Sequence, residues 1–222
     1  MRQIPLAMTP APARSFESFV AGANRAAVEH LRQFGPHSAP TYLWGPVGSG
    51  KSHLLAALAG AWQAGGARVG SFSAATQPPW SFDERWKLIV LDDCERFGAA
   101  QQHAAFALLV EATTAAVPWV AAGRVPPVDL ALRDDLRSRL GWGVVYALQS
   151  LGEADSRSVL RRAADARGVF LSDEVMDYLL SRFARDLKSL MLLLDRLDEF
   201  ALSTQRPVTV PLLRQMLAQE GP

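Results

Sequence analysis

Short apolar runs alternate with amphipathic segments through the first two thirds of the chain. The runs are bounded by turn residues, as buried strands are, and cover residues 41–44, 68–72, 87–93, 118–122 and 144–148. Between them, apolar residues recur every three or four positions, which predicts helices at about 24–34, 51–63 and 99–116. This alternation predicts an α/β fold, with helices on both faces of a parallel sheet and ligands at the carboxyl ends of its strands.

The helix predicted at residues 99–116 has an expected inner face, which contains Phe106, Leu109, Val110 and Thr113.

Beyond residue 151 the pattern changes, because no further strand-like run occurs. Helices are predicted at about 154–167, 172–182, 186–202 and 210–218. The third of these carries an apolar stripe typical of a helix-bundle core: Leu187, Leu190, Met191, Leu194 and Leu197. We therefore expect a flexible arm (1–14), an α/β nucleotide-binding domain (15–150) and a small helical lid domain (151–222).

A phosphate-binding motif follows the first predicted strand directly. The sequence from Gly45 to Ser52 has the spacing G-x-x-x-x-G-K-S and precedes a helix, as a phosphate loop requires. Glycines let consecutive backbone N–H groups curl around a phosphate, and the helix start adds partial positive charge. The predicted cofactor-binding residues here are Gly45, Pro46, Gly48, Ser49, Gly50, Lys51, Ser52 and His53.

Two carboxylates, Asp92 and Asp93, end the strand 87–93. After a phosphate loop and an intervening strand, this pair is typical of a magnesium and water site. We expect Asp92 to hold Mg²⁺ together with the Ser52 hydroxyl, and Asp93 to orient or polarise the attacking water. Taken alone, two acidic residues here would only be a solvated strand end.

Composition limits the possible partners. Apolar residues make up 49% of the chain and charged residues 20%, as in ordinary globular proteins, and the net charge of +1 argues only for local contacts with nucleic acid. The single cysteine, Cys94, cannot form an internal disulfide, and no apolar run is long enough for a bilayer. A cytoplasmic protein without membrane contact is expected.

The arm and three arginines allow two interpretations each. In the Pro/Ala-rich arm, Gln3, Leu6 and Met8 could dock in a partner's groove, although the residues alone favour an untethered terminus. Arg137 and Arg139, just before the last strand, could each reach a nucleotide on a neighbouring protein or be ordinary surface residues. Arg185 could reach the chain's own nucleotide from the lid.

Taken together, these motifs resemble the AAA+ ATPases of the DnaA branch. The resemblance extends from about Phe16 to Ala218. It is carried by the phosphate loop, Asp92-Asp93, Phe16-Glu-Ser-Phe19, Gly22-Ala-Asn24, Leu136-Arg-Ser-Arg-Leu-Gly-Trp-Gly143 and Arg185-Asp-Leu-Lys-Ser-Leu190.

This resemblance implies specific residue roles. Arg139 would be an arginine finger that acts on ATP bound to DnaA, and Arg185 would be the lid arginine that senses the chain's own nucleotide. Asn24 would pack near the adenine. Gln3, Leu6 and Met8 match the glutamine and spaced hydrophobics of a motif that binds the sliding clamp. One position departs from the family pattern, because Arg124 stands where members commonly carry a polar or acidic residue.

The function that the resemblance implies is regulation of replication initiation. The chain is expected to lack the DNA-reading domain of DnaA, as do regulators that bind the β sliding clamp of DNA polymerase III and stimulate ATP hydrolysis by DnaA, which inactivates it. The expected ligands are ADP or ATP with Mg²⁺, and contact with DNA would be indirect, through the clamp. A helicase-loader-like ATPase and a non-catalytic, nucleotide-gated interaction module remain alternatives. Self-association and ATP hydrolysis by the chain itself stay open.

Overall fold

The computed structural model describes residues 14–183 and 187–219. Its sheet has five parallel strands in the order β2-β3-β4-β1-β5, so the first strand lies inside the sheet. The strands are β1 (Thr41–Trp44), β2 (Arg68–Ser73), β3 (Trp86–Asp92), β4 (Trp119–Gly123) and β5 (Val144–Ala147). This architecture confirms the predicted α/β fold.

Four helices accompany the sheet and four follow it. The first group is α1 (Arg25–Arg32), α2 (Lys51–Ala64), α3 (Ala99–Thr114) and α4 (Asp134–Leu140). The second group is α5 (Glu153–Ala166), α6 (Asp173–Phe183), α7 (Leu187–Thr204) and α8 (Val210–Gln219). The sequence pattern missed α4 as a helix, because its seven residues are too few to show a clear period.

The sheet separates two apolar clusters. Side chains alternate across each strand, so Leu91 and Trp119 pack on the α3 face while Val90 and Val120 pack on the opposite face, with α1 and α2. Because both faces are covered, the central strands are continuous apolar runs, as expected for a parallel sheet.

The predicted inner face of α3 was only partly right. The buried residues are Ala105, Leu108, Leu109 and Ala112, whereas Thr113 is exposed and Phe106 is half-buried. Alanines of α3 lie on several sides of the helix, so these small apolar residues can face the sheet. The spacing of apolar residues therefore does not indicate a single inner face. Phe106 and Thr113 are thereby left at the edge of the domain beside α4.

Helices α5 to α8 form a separate bundle with its own core. Leu190, Leu194 and Leu197 of the predicted α7 stripe are buried there together with residues of all four helices. Within the described residues, no helix is both long and apolar enough to cross a membrane.

Candidate nucleotide-binding site

The phosphate loop leaves β1 at the carboxyl edge of the sheet, where the prediction placed it. Two of its glycines have conformations that a side chain would disturb. Gly45 has φ +156° and Gly50 has φ +93°, and an added Cβ would lie 2.2 Å from the Leu148 carbonyl oxygen in the first case and 2.4 Å from Phe19 in the second. The conformation of the loop therefore depends on how closely Leu148 and Phe19 approach its backbone, as well as on its own turns.

Lys51 is buried at the centre of this loop. Its ammonium donates hydrogen bonds to the carbonyl oxygens of Gly45 at 2.7 Å and Pro46 at 2.8 Å. Burial lowers the pKa of Lys51, while the negative charges of Glu95, Asp92 and Asp93 act in the opposite direction. A cation held here can bind phosphate oxygens by exchanging carbonyl partners for anionic ones.

The Ser52 hydroxyl and the Asp92 carboxylate come together in front of the loop. Burial raises the pKa of Asp92, and hydrogen bonds from the Ser52 hydroxyl and the Asp93 backbone partly offset that effect. A hydroxyl and a carboxylate are oxygen donors of the kind that Mg²⁺ prefers. These residues therefore fit a metal ion that bridges the protein and a polyphosphate.

Asp93 and Glu95 follow Asp92 on a short 3-10 turn, Cys94–Arg96. Asp93 has a left-handed backbone, φ 53°, and forms a loose ion pair with Arg96 at 3.7 Å. Glu95 is largely buried and forms an ion pair with Arg124, with 3.0 Å between Oε1 and Nε. Sequence reasoning missed Glu95 because it lies beyond the strand end, where acidic residues are common.

His53 and the segment before α1 form one wall of the loop. We call residues 14–24 the lead segment. The His53 ring lies 2.9 Å from the Ser15 carbonyl oxygen and 3.2 Å from the Ser18 hydroxyl, and it packs against Phe19 with ring centroids 5.3 Å apart. Burial lowers the pKa of His53. His53 therefore fixes the lead segment on α2, and its role toward a cofactor stays a prediction.

Asn24, at the end of the lead segment, is buried against the linker that joins the sheet to the lid. Its side-chain N–H donates to the Gln149 carbonyl at 2.9 Å, and its side-chain oxygen accepts from the Gln149 N–H at 2.8 Å. The amide is therefore engaged by the backbone, and any contact between Asn24 and an adenine would be through packing.

Arg139 lies away from the loop, on α4. Its guanidinium carbon is 4.6 Å from the ring centroid of Trp142 and 5.5 Å from that of Phe106, and Nη1 donates to the Thr113 hydroxyl at 3.2 Å. We call Phe106, Thr113 and Trp142 the arginine seat. Arg137, two residues earlier, instead pairs with Asp134 on its own helix at 2.7 Å.

Some predicted sites cannot be compared with the structure. Gln3, Leu6, Met8 and Arg185 lie outside the described residues. Phe106 and Thr113 were not singled out as partners of Arg139, since only the fold brings α3 next to α4, whereas Trp142 lies three residues beyond Arg139 in the chain.

A five-stranded parallel sheet whose inner first strand leads into a phosphate loop, followed by a helical lid, is the AAA+ fold. Domain III of DnaA from Thermotoga maritima has this fold, with a TM-score of 0.79 at 20% identity, over 94% of this chain and 97% of the other. DnaA from Aquifex aeolicus, in a structure bound to AMPPCP, has a TM-score of 0.68 at 23% identity, over 83% and 65%.

Sequence comparisons indicate which AAA+ proteins this chain resembles. Residues 153–217 match the family described as "Hda, lid domain". An uncharacterised protein of Haemophilus influenzae is 30% identical over 97% of this chain and 98% of its own length. The chain therefore has the AAA+ fold with a lid that matches the Hda family, and it is similar in structure to the DnaA branch.

Proposed function

We propose that this protein binds adenine nucleotide and the sliding clamp, and that it inactivates the initiator DnaA by stimulating ATP hydrolysis on it. The observation that carries the proposal is the contact of the Arg139 guanidinium with the arginine seat. A guanidinium held between two aromatic faces and a hydroxyl is pre-oriented, and it lies beside the exposed ring of Trp142 rather than beside the chain's own phosphate loop.

Pre-orientation matters for an arginine that acts on another protein's nucleotide. Such a residue stabilises charge that develops on the transferring phosphoryl group, and the contribution depends on accurate placement. Cation–π contacts leave the positive charge of Arg139 without a carboxylate partner among the described residues, whereas the Asp134 carboxylate lies 2.7 Å from Arg137 Nη2 and offsets its charge. This difference favours Arg139 over Arg137 as the finger.

The chain's own phosphate loop supports the nucleotide part of the proposal. Lys51 would contact the β- and γ-phosphates, and Ser52 with Asp92 would hold Mg²⁺, which neutralises phosphate charge when it is bound. Asp93 stays the proposed water-orienting residue, and Arg185 the proposed lid contact. We assign recruitment to the clamp to Gln3, Leu6 and Met8, by docking of an extended peptide.

The test follows the nucleotide on DnaA. DnaA loaded with labelled ATP is mixed with clamp loaded on DNA and with this protein, and the conversion of bound ATP to ADP is measured. The parent protein should accelerate conversion, and Arg139→Ala should return it to the unstimulated rate, since an arginine finger contributes about 10³–10⁵ in turnover.

Arg137→Ala is the matched control, because it removes the same charge from the same helix and should keep the stimulation. Full stimulation by Arg139→Ala would exclude the finger assignment. Substituting both Gln3 and Leu6 by Ala should abolish clamp capture, and retained capture would exclude the clamp assignment.

A further inference from the structure

Arg124 occupies a central position at the ligand edge of the sheet. It follows Gly123, the last residue of β4, and Gly123 lies directly across from Trp44 in the β1–β4 register. Strand β4 lies between β1, which leads into the phosphate loop, and β3, which ends at Asp92. Neighbouring strands are about 4.8 Å apart, so Arg124 starts between the loop and the acidic strand end.

The Arg124 side chain and backbone both bind Glu95. The side-chain Nε lies 3.0 Å from Glu95 Oε1, and the Arg124 backbone N–H donates to Oε2 at 3.2 Å. The Glu95 side chain is only 15% exposed, whereas that of Arg124 is 54% exposed. Arg124 therefore donates a hydrogen bond to Oε2 and forms an ion-pair contact with Oε1, which is buried and accepts no hydrogen bond within the described residues.

This pair lies within electrostatic range of the phosphate-binding lysine. Among the charges that act on the pKa of Lys51, Glu95 has the largest effect and raises it, while Arg124 lowers it. The terminal phosphate of a nucleotide held by Lys51 would thus lie near two groups that sequence reasoning left without a role.

We propose that Arg124 restrains Glu95, so that nucleotide held in this loop is hydrolysed slowly. The Glu95 carboxylate lies within electrostatic range of the phosphate-binding Lys51, and its ion pair with the Arg124 guanidinium holds Oε1 away from a water molecule that approaches the terminal phosphate. This inference rests on the proposed nucleotide site, and Arg124 acts as a positioning residue.

Without the restraint, Glu95 can accept the proton of the attacking water, in addition to the water orientation proposed for Asp93. The oxygen of a water molecule forms a bond to the γ-phosphorus, and the bond from that phosphorus to the β–γ bridging oxygen breaks. The water's proton passes to Glu95 and then to solvent, and the products are ADP and inorganic phosphate. With Arg124 in place, the nucleotide serves as a long-lived ligand.

The first test measures hydrolysis by this protein alone, with Mg²⁺ and labelled ATP in single turnover. Arg124→Gln should raise the rate about tenfold or more, because a general base contributes at least that much. Arg124→Lys, which keeps the charge, should stay near the parent rate, and the double variant Arg124→Gln with Glu95→Gln should lose the gain. The dissociation constant of a fluorescent ADP analogue should not change.

The second test needs no nucleotide. Thermal unfolding of the parent, the two single Gln variants and the double variant gives a double-mutant cycle. The double variant should lose less in Tm than the sum of the single losses, because either single change already breaks the pair. Arg85→Gln is the matched control, since Arg85 pairs with Asp83 at the opposite end of β3, and it should be additive with Glu95→Gln.

Three results would overturn the inference: an unchanged or lower rate for Arg124→Gln, a gain that persists in the double variant, or loss of ADP binding, which would make Arg124 a phosphate ligand. Because DnaA is absent from both tests, their outcome is separate from that of the Arg139 experiment. A rate gain without stimulation of DnaA would keep this inference and reject the proposed function.

Discussion

At the scale of single residues, His53 has the clearest energetic consequence. Its ring is enclosed by the lead segment, and burial lowers its pKa below the usual 6.5, with the positive charge of Arg14 acting in the same direction. The folded state therefore binds fewer protons than the unfolded state when the pH falls below about 6.5.

This difference predicts a pH dependence of stability. The free energy of unfolding should be fully retained above pH 6.5 and should decrease as the pH falls from there toward the folded-state pKa. His53→Gln should reduce this slope, as measured by urea unfolding at a series of pH values. Some slope should remain, because burial also lowers the pKa of His30.

His103→Gln is the control for replacing a histidine by glutamine, since this histidine is exposed on α3. An unchanged slope in His53→Gln would show that the lead segment does not shield the ring in solution.

Residue identity alone predicted where the phosphate loop lies but not the tertiary contacts around it. The spacing from Gly45 to Ser52 is a local signal, so the sequence was sufficient for the position of the loop after β1, while the roles of Ser52 and Asp92 toward Mg²⁺ stay predictions. The Glu95–Arg124 pair joins residues 29 positions apart, and Arg139 contacts Thr113 across 26. No local period encodes such distances, which depend on the order of strands and the approach of α3 to α4.

At the scale of elements, the lead segment connects the phosphate loop to the lid linker. Phe19 lies against Gly50 at one end, and Asn24 binds the backbone of Gln149 at the other. A change in the loop's conformation therefore acts on the linker through one continuous piece of chain.

Asn24→Ala tests this connection. Loss of the amide leaves the N–H and carbonyl of Gln149 without their partner, which should cost about 1–3 kcal/mol in free energy of unfolding. Hydrogen exchange should become faster at Gln149 and its neighbours, as measured by mass spectrometry of the peptide that contains them.

Asn24→Asp keeps the acceptor for the Gln149 N–H but loses the donor, so its exchange rate should lie between those of the parent and Asn24→Ala. Unchanged exchange in Asn24→Ala would mean that the linker is held by other contacts.

Element boundaries were predicted to within two or three residues because turn residues frame them. The strand at Val144–Ala147 and the helix at Leu187–Thr204 lie close to the expected positions. The face of α3 was predicted less well, because an alanine-rich helix can pack on several sides.

At the scale of the whole molecule, the apolar side chains form separate cores. Two clusters cover the sheet, and a third fills the bundle of α5 to α8. Since the cores do not merge, unfolding need not be a single cooperative event.

Calorimetry should therefore resolve two transitions. Leu194→Ala, in the lid core, should lower the temperature of one transition, and Leu108→Ala, beneath the sheet, should lower the temperature of the other. Each substitution should reduce the free energy of unfolding of its own part by about 2–5 kcal/mol. ADP at a hundred times its dissociation constant should raise the free energy of unfolding of the part that contains the sheet by about 2.7 kcal/mol. A single transition that moves as a whole in both variants would show that the two parts unfold together.

The position of β1 inside the sheet has a consequence for how the protein is made. Its two neighbours, β4 and β5, are synthesised long after it, so the backbone that leads into the phosphate loop has no strand partner while it leaves the ribosome. A nascent chain that has not yet reached β5 cannot hold this loop in its final shape. We therefore expect the loop to become able to bind its proposed ligand only late in synthesis, when the sheet is nearly complete.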